Sequence, residues 1–438
     1  MKKTGAVIKH RFTAGLVLII GLLSMVTLWL TGASSVHHLV VDILAGYFLI
    51  WTFAVLLSER PIRQLRRWVV FTTVALLMSL LLAETPAVLG IVDYRSVFST
   101  PSSEPWYRPE YVVDRELLWI HRPHHQQAEH GEGNIGEMLC LRPNPQEYLV
   151  RYDKNGFRND ADMESADIAV LGDSYVEARM LPNEVLMTSV LSDLQNSPVV
   201  NFGVGGYAPQ QTLAVAKRYA LPLHPNALVW VIVEGNLHQA SEYEEKISTI
   251  PNKSGSMNVW WLRSFTRNSL WALLRLPQRC TPNAYFERRY GVVQETDGRQ
   301  RRMYFPGYYE PMTELDRDSL QKTVAVLAEA YALCRERGIR FVVVFSPREY
   351  RVYHGLPNLS EVSEEVRHYV LNDLPEVFSK MVSEISPDIG YLDLTEVFRE
   401  EAAKGIPIFL PDDSHWSPGG NRIVAQALHK IISTHRSE

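Results

Sequence analysis

Seven consecutive apolar residues, Ala227 to Val233 (ALVWVIV), constrain this chain most. The run is too short for a bilayer helix, which needs about 20 residues, and it stops at Glu234-Gly235-Asn236. An apolar run of that length without polar alternation fits a strand buried on both faces, as in a parallel sheet covered by helices. Shorter strand-like stretches, less uniformly apolar, recur at Ile168–Leu171, Pro198–Phe202, Arg340–Phe345 and Gly390–Leu394. Helical stretches fall between them, at Asn183–Gln195, Ala208–Tyr219, Ser319–Arg337, Glu376–Ser386, Thr395–Lys404 and Ser417–Ile432. In Ser319–Arg337 the stripe Leu320, Val324, Leu327, Tyr331, Cys334 keeps helical spacing, and Gly338 closes it. Strands alternating with helices predict an α/β fold, a doubly wound parallel sheet with helices on both faces.

In such sheets ligands bind at the carboxyl ends of the strands, so the residues there carry the chemistry. After Ile168–Leu171 stand Gly172-Asp173-Ser174; the serine can cap the next helix or act as a nucleophile. Asn201-Phe202-Gly203-Val204-Gly205-Gly206 closes the next strand, and glycines there let a backbone N–H face a ligand. Asn236 offers a side-chain amide. Pro411-Asp412-Asp413-Ser414-His415-Trp416 supplies what an alcohol nucleophile needs, a base and a carboxylate to fix its tautomer.

These four blocks, in this order, resemble those of the SGNH (GDSL-type) hydrolases, over roughly Tyr152 to Ile432. The resemblance implies an SGNH hydrolase-like, flavodoxin-like three-layer domain with Ser174 as nucleophile and His415 as base. The backbone N–H groups of Ser174 and Gly206 and the Asn236 amide would form the oxyanion hole. The family's usual Gly-Asn-Asp is broken by Leu237, which leaves the Asn donor in place. The orienting carboxylate stays open. Many relatives place it three residues before the His, at Asp412; relatives that modify polysaccharides, with Trp after the His, place it at Asp413. Trp416 favours Asp413. Asp173 reads as a turn carboxylate, and Gly156-Phe157-Arg158 as packing.

At 438 residues the chain exceeds one ordinary domain. Its opening predicts a membrane domain over residues 1–92 with three transmembrane helices, at Phe12–Thr31, Leu39–Leu57 and Trp68–Ala83. Lys2, Lys3, Lys9 and Arg11, then Arg60, Arg63, Arg66 and Arg67, put the amino terminus and second loop on the cytoplasmic side. Everything after Glu84 is then periplasmic or extracellular, on a multi-pass protein of the inner (cytoplasmic) membrane. Asp42 and Glu84 read as interfacial or helix–helix hydrogen-bonding groups.

Residues 93–145 read as an irregular linker and partly ordered lead-in, with His121, His124, His125 and His130 in a solvated loop of no metal-ligand spacing. Residues 146–438 form the hydrolase-like domain, with an insertion at about 237–314. Its aromatics (Trp260, Trp261, Trp271, Tyr285, Tyr304) interleave with arginines and suit sugar faces, acidic sugars or a partner protein, or else the insertion is a small lid or subdomain with its own core. Cys140 and Cys280 can pair in an oxidising compartment, and Cys334 belongs to a helix core. A net charge of −5 without a long basic run argues against nucleic acid.

The expectation is a membrane-anchored serine esterase acting on acyl, chiefly O-acetyl, esters of an envelope or secreted polysaccharide, without cofactor or metal. Its partners are the bilayer and an acylated carbohydrate or other ester. Two alternatives stay open: a polysaccharide O-acyltransferase with a membrane acyl-donor protein, as in the alginate-acetylation relatives, and a silent glycan-binding module.

Overall fold

The computed structural model describes residues 62–98, 110–131, 133–141, 147–249, 263–275, 282–307 and 311–434. They fall into two compact units. One holds α1 (Ile62–Val88) with Arg263–Arg267; the other holds the residues from Arg95 onward apart from that segment.

Within α1, Val70–Val88 is long and apolar enough to cross a membrane by length and composition, with a mean hydropathy of 1.6 and 6% of the window buried. Phe71, Leu81 and Leu82 are exposed on it. The span expected at Trp68–Ala83 falls in this helix, whereas those at Phe12–Thr31 and Leu39–Leu57, with Asp42, lie outside the described residues. Glu84 accepts hydrogen bonds from Ser264 Oγ (2.7 Å) and the Phe265 and Thr266 N–H groups (3.1 and 2.7 Å). It thereby caps the helix Phe265–Arg275.

The second unit opens with the hairpin β1 (Tyr111–Asp114) and β2 (Leu118–His121), followed by β3 (Gln126–Glu129), α2 (Asn134–Met138) and β4 (Tyr148–Arg151), which pairs with β3. The sequence predicts a partly ordered lead-in, and here the structure corrects only the expectation of a solvated loop at His121. Leu117, Leu118, Trp119, Ile120 and His121 are buried. This short apolar run sits among Pro, Arg and His residues that mask its pattern.

The central sheet is five-stranded and parallel, as expected. Its strands β5 (Ile168–Gly172), β6 (Val199–Gly203), β7 (Ala227–Val233), β10 (Arg340–Ser346) and β12 (Gly390–Asp393) lie in the order β12-β10-β7-β5-β6. All seven residues of β7 are buried, and each large apolar side chain so buried contributes about 1.5–3 kcal/mol. Alternation divides the core in two. Ala169 and Leu171 pack with Leu213 of α5 (Pro209–Val215), Leu327 of α6 (Glu314–Glu336) and Phe378 of α8 (Leu374–Ile385). Ile168 and Val170 pack on the other side with Leu191 of α4 (Met187–Gln195), Phe398 of α9 (Leu394–Ala403) and Val424 of α10 (Pro418–Thr434). That is a three-layer sandwich.

Part of the insertion continues this architecture. β8 (Tyr290–Gln294) and β9 (Gln300–Tyr304) form a hairpin that takes β11 (Leu359–Val362) as a third strand. Val293, Met303 and Phe305 pack into the second core cluster rather than a core of their own. Trp260 and Trp261 lie outside the described residues. Cys140 is held in a disulfide, Cys334 is free and buried, and Cys280 lies outside the described residues.

Candidate active site

Ser174 opens α3 (Ser174–Glu177) directly after β5. The cap of this turn is Asp173, whose Oδ1 accepts the Tyr175 N–H at 3.0 Å. Ser174 is therefore not the cap, and its hydroxyl faces the site. The strand ends approach closely here: a Cβ on Gly203 would stand 2.3 Å from the Glu177 nitrogen, so only glycine fits.

His415 comes from 241 residues further on, and its Nε2 lies 2.7 Å from Ser174 Oγ. Its Nδ1 donates to Asp413 Oδ1 in a short hydrogen bond, and its backbone N–H donates to the same oxygen at 2.8 Å. Asp413 Oδ2 accepts the Asn134 N–H at 2.7 Å. Burial alone would raise the Asp413 carboxyl, but His415 and these donors hold it below its usual range. For His415 burial pulls downward, and the Asp413 carboxylate outweighs it and raises the imidazole above its ordinary value.

Asp412 faces elsewhere. Its backbone carbonyl accepts the N–H groups of Ile135 and Gly136 at 3.0 and 2.8 Å. The pair therefore divides its work: Asp413 reaches the imidazole, and Asp412 ties the loop to α2. Trp416 anchors the far side, its Nε1–H donating to Ser346 Oγ at the end of β10 (3.2 Å). Tyr175 packs on both rings, 4.7 Å from His415 and 5.4 Å from Trp416.

On the third side, Asn236 Nδ2 donates to Asp173 Oδ2 in a short bond, and an amide carries a second N–H for a ligand. Burial raises the Asp173 carboxyl. Gly206 sits at φ +78°, a left-handed conformation. Leu237 is buried in the core. Glu234 accepts Arg351 Nε and Nη2 (2.9 and 2.7 Å) and the Arg348 N–H (2.8 Å), which fixes the loop carrying Asn236. His238 is half-exposed and pairs with Glu242 at 3.7 Å. A cavity of about 310 Å³ opens here, lined by Gly235, Leu237, His238, Met312, Arg348 and Asn372.

The site also holds residues that the sequence did not reveal. His121, expected in solvent, donates from Nε2 to Glu177 Oε1 at 2.9 Å. In sequence a histidine in a polar stretch looks like a solvated loop residue, because a buried polar group is recognised only by its distant partner. Tyr152 also donates to Glu177 Oε1, at 2.7 Å, and the Gly205 N–H donates to Oε2 at 2.6 Å. Burial would raise the Glu177 carboxyl, but His121 above all, with Tyr152 and the Arg179 charge, brings it down to about 2. Arg158, of the Gly-Phe-Arg segment, is buried and donates to the carbonyls of Glu177, Ala178 and Leu181, as packing against the domain requires. Glu349, at the start of α7 (Glu349–Tyr353), is buried with both carboxyl oxygens lacking hydrogen-bond partners, and burial pushes it up to about 7. Among the described residues no group of three or more His, Cys, Asp or Glu side chains could hold a metal.

Residues 298–438 match the family model described as the SGNH hydrolase-like domain of the acetyltransferase AlgX. That stretch contains Asp413 and His415, while Ser174, Gly206 and Asn236 come from outside it. No curated protein matches the chain. Solved structures similar to it include a catalytic mutant of the acetylxylan esterase Axe2 from Geobacillus stearothermophilus, at 11% identity over 61% of this chain and 94% of that one, with a TM-score of 0.33. A GDSL-like lipase from Bacteroides thetaiotaomicron matches at 11% identity over 61% and 88%, with a TM-score of 0.30. A G-D-S-L family protein from Desulfitobacterium hafniense, described as lipolytic, matches at 12% identity over 60% and 98%, with a TM-score of 0.32.

Proposed function

We propose that this chain, an SGNH hydrolase-like protein acting on esters as hydrolase or acyltransferase, is a membrane-anchored serine enzyme that acts on O-acetyl esters of an envelope or secreted polysaccharide. The observation that carries the reading is the continuous line Ser174 Oγ, His415 Nε2, His415 Nδ1, Asp413 Oδ1. A serine hydroxyl is a weak nucleophile at neutral pH, and an imidazole at 2.7 Å can take its proton as the oxygen attacks. Asp413 fixes the tautomer, because an ionised carboxylate only accepts.

Attack of Oγ on the acyl carbonyl forms the C–O bond and moves the Ser174 proton to Nε2. The negative charge falls on the former carbonyl oxygen, where the N–H groups of Ser174 and Gly206 and the second Asn236 N–H would receive it; one such donor is worth about 3 kcal/mol. Collapse expels the sugar alkoxide, which takes the proton back from His415, and leaves an acyl-serine. Water, or a second sugar hydroxyl, attacks that ester by the same steps in reverse.

The acceptor separates esterase from O-acyltransferase. The match of residues 298–438 to an acetyltransferase domain favours the second reading and with it a partner that delivers acyl groups across the bilayer. In both readings α1 and the two apolar segments before it make the anchor, as a multi-pass inner-membrane protein with the enzyme domain outside. The full chain in detergent, given p-nitrophenyl acetate with and without acceptor oligosaccharide, tests this. The reading expects release of nitrophenol that Ser174→Ala abolishes. Acetylated sugar detected by mass identifies the transferase. Absence of Ser174-dependent turnover and of any acyl-serine would leave a glycan-binding module in its place.

A further inference from the structure

We propose that His121 and Tyr152, on the lead-in before the nucleophile, are positioning residues that act through Glu177 to hold the Gly205–Gly206 backbone in place for the oxyanion. The proposal rests on the reading of Gly206 as an oxyanion donor. Glu177 stands in α3 with Ser174, so its carboxylate links the nucleophile's own turn to the glycine loop of β6. Its Oε2 takes the Gly205 N–H at 2.6 Å, a short charge-assisted bond. A Cβ built on Gly205 would lie 3.5 Å from Ser174 Cβ, so this backbone runs directly against the nucleophile. Two consecutive glycines have wide conformational freedom. The Glu177 bond is the restraint that the structure supplies for the N–H next in line.

The other carboxylate oxygen needs its own holders. His121 Nε2 and Tyr152 OH both donate to Oε1, at 2.9 and 2.7 Å. The two rings stack on each other with centroids 3.8 Å apart and planes 20° apart, which leaves the imidazole little room to turn. Its Nδ1 is buried without a hydrogen-bond partner, so the bond to Glu177 and the ring stacking orient it. A buried ionic network is a poor route to stability, since well-packed apolar residues do as well. What this network supplies is direction: one N–H held at one angle beside Ser174.

The test uses the full chain in detergent with p-nitrophenyl acetate, comparing Glu177→Gln, His121→Ala, His121→Gln and Tyr152→Phe. A displaced donor or reactant costs on the order of 10- to 100-fold in rate. Glu177→Gln and His121→Ala are expected to lower kcat by that amount with KM held within about twofold. The acid limb of the pH profile stays with His415. His121→Gln, which keeps a donor at the Nε2 position, restores most of the loss. Amide hydrogen exchange gives a second readout that needs no turnover and tolerates partial destabilisation. Exchange in the peptide covering Gly203–Tyr207 rises about tenfold or more in these variants, while that of β7 does not change. Rates within about threefold of the parent, or unchanged exchange at Gly205–Gly206, overturn the proposal. Loss of Ser174-dependence in the parent overturns the acyl-enzyme reading and this role together. Ser174-dependent turnover with unaffected variants overturns this role alone.

Discussion

The two flanks of Ser174 each bury a glutamate, and the two behave oppositely. Glu177, on the glycine-loop flank, takes three donors and is brought down to about 2. Glu349, on the histidine flank, takes no hydrogen bond and is pushed up to about 7. Both are nearly inaccessible, at 3% and 1% exposure, so burial does not distinguish them. Partners do: the same desolvation is overcome by close partners on one flank, and on the other is only partly offset by Arg348, 3.7 Å from the Glu349 carboxyl. One flank is built to keep a charge and the other to resist one, a few residues from the same imidazole.

The comparison is sharpest where it is attacked hardest. The Asp413 carboxylate, like that of Glu177, has hydrogen-bond donors on both oxygens. Asp413→Asn is expected to lower kcat by about 10⁴-fold through the wrong imidazole tautomer, and Asp412→Asn by less than about tenfold. Equal losses from the two single variants would remove the assignment.

Next come the glutamates themselves, by thermal or chemical unfolding of the full chain. Glu177 is lowered from 4.5 to about 2, so its contribution is present above pH 4.5 and lost as pH falls toward 2. Glu177→Gln is expected to destabilise at neutral pH by on the order of 3 kcal/mol, with the gap closing in acid. Glu349 is raised from 4.5 to about 7, so the fold favours its protonated form and loses stability as pH rises through that range. Glu349→Gln is expected to stabilise at pH 8 by on the order of 3 kcal/mol, and to do nothing below about pH 4.5. Shifts of the same sign in both variants would end the contrast.

A smaller effect concerns rate against pH. His415 is raised above 6.5, with Asp413 the main upward influence and Glu349 a lesser one. Activity therefore rises with pH through an acid limb above 6.5, as the imidazole loses its proton. Removing the Glu349 charge moves that limb to lower pH, read from kcat/KM profiles. An upward move, or none, would show that Glu349 does not share the field of His415. The smallest change is Tyr175→Phe, which removes the hydroxyl bonded to the Ser414 carbonyl. It should cost about 1 kcal/mol of stability and leave kcat within about threefold.

Much of this could be read from the chain alone. Each buried strand announces itself in a few consecutive residues, because burial on both faces demands apolar side chains at every position, as ALVWVIV does in β7. The position of Ser174 follows from the end of one such strand. The lead-in was not legible, because its apolar run Leu117–Ile120 is short and the histidine beside it looks like any polar loop residue. The difference between Asp412 and Asp413, adjacent carboxylates of identical chemistry, was legible only as the lean toward Asp413 that Trp416 gave. It is decided by which side chain turns toward the imidazole and which carbonyl meets the N–H groups of α2.

What the sequence determined by itself was therefore local: the strands and helices, the three-layer sheet they imply, and the polar residues at the strand ends. What only the tertiary structure decided was pairing over distance. His121 meets Glu177 across 56 residues, Asn134 meets Asp413 across 279, and Ser174 meets His415 across 241. Apolar burial is non-directional and leaves a periodic trace in the chain. A hydrogen bond depends on angles and on a few tenths of an ångström, and those exist only once the backbone is in place.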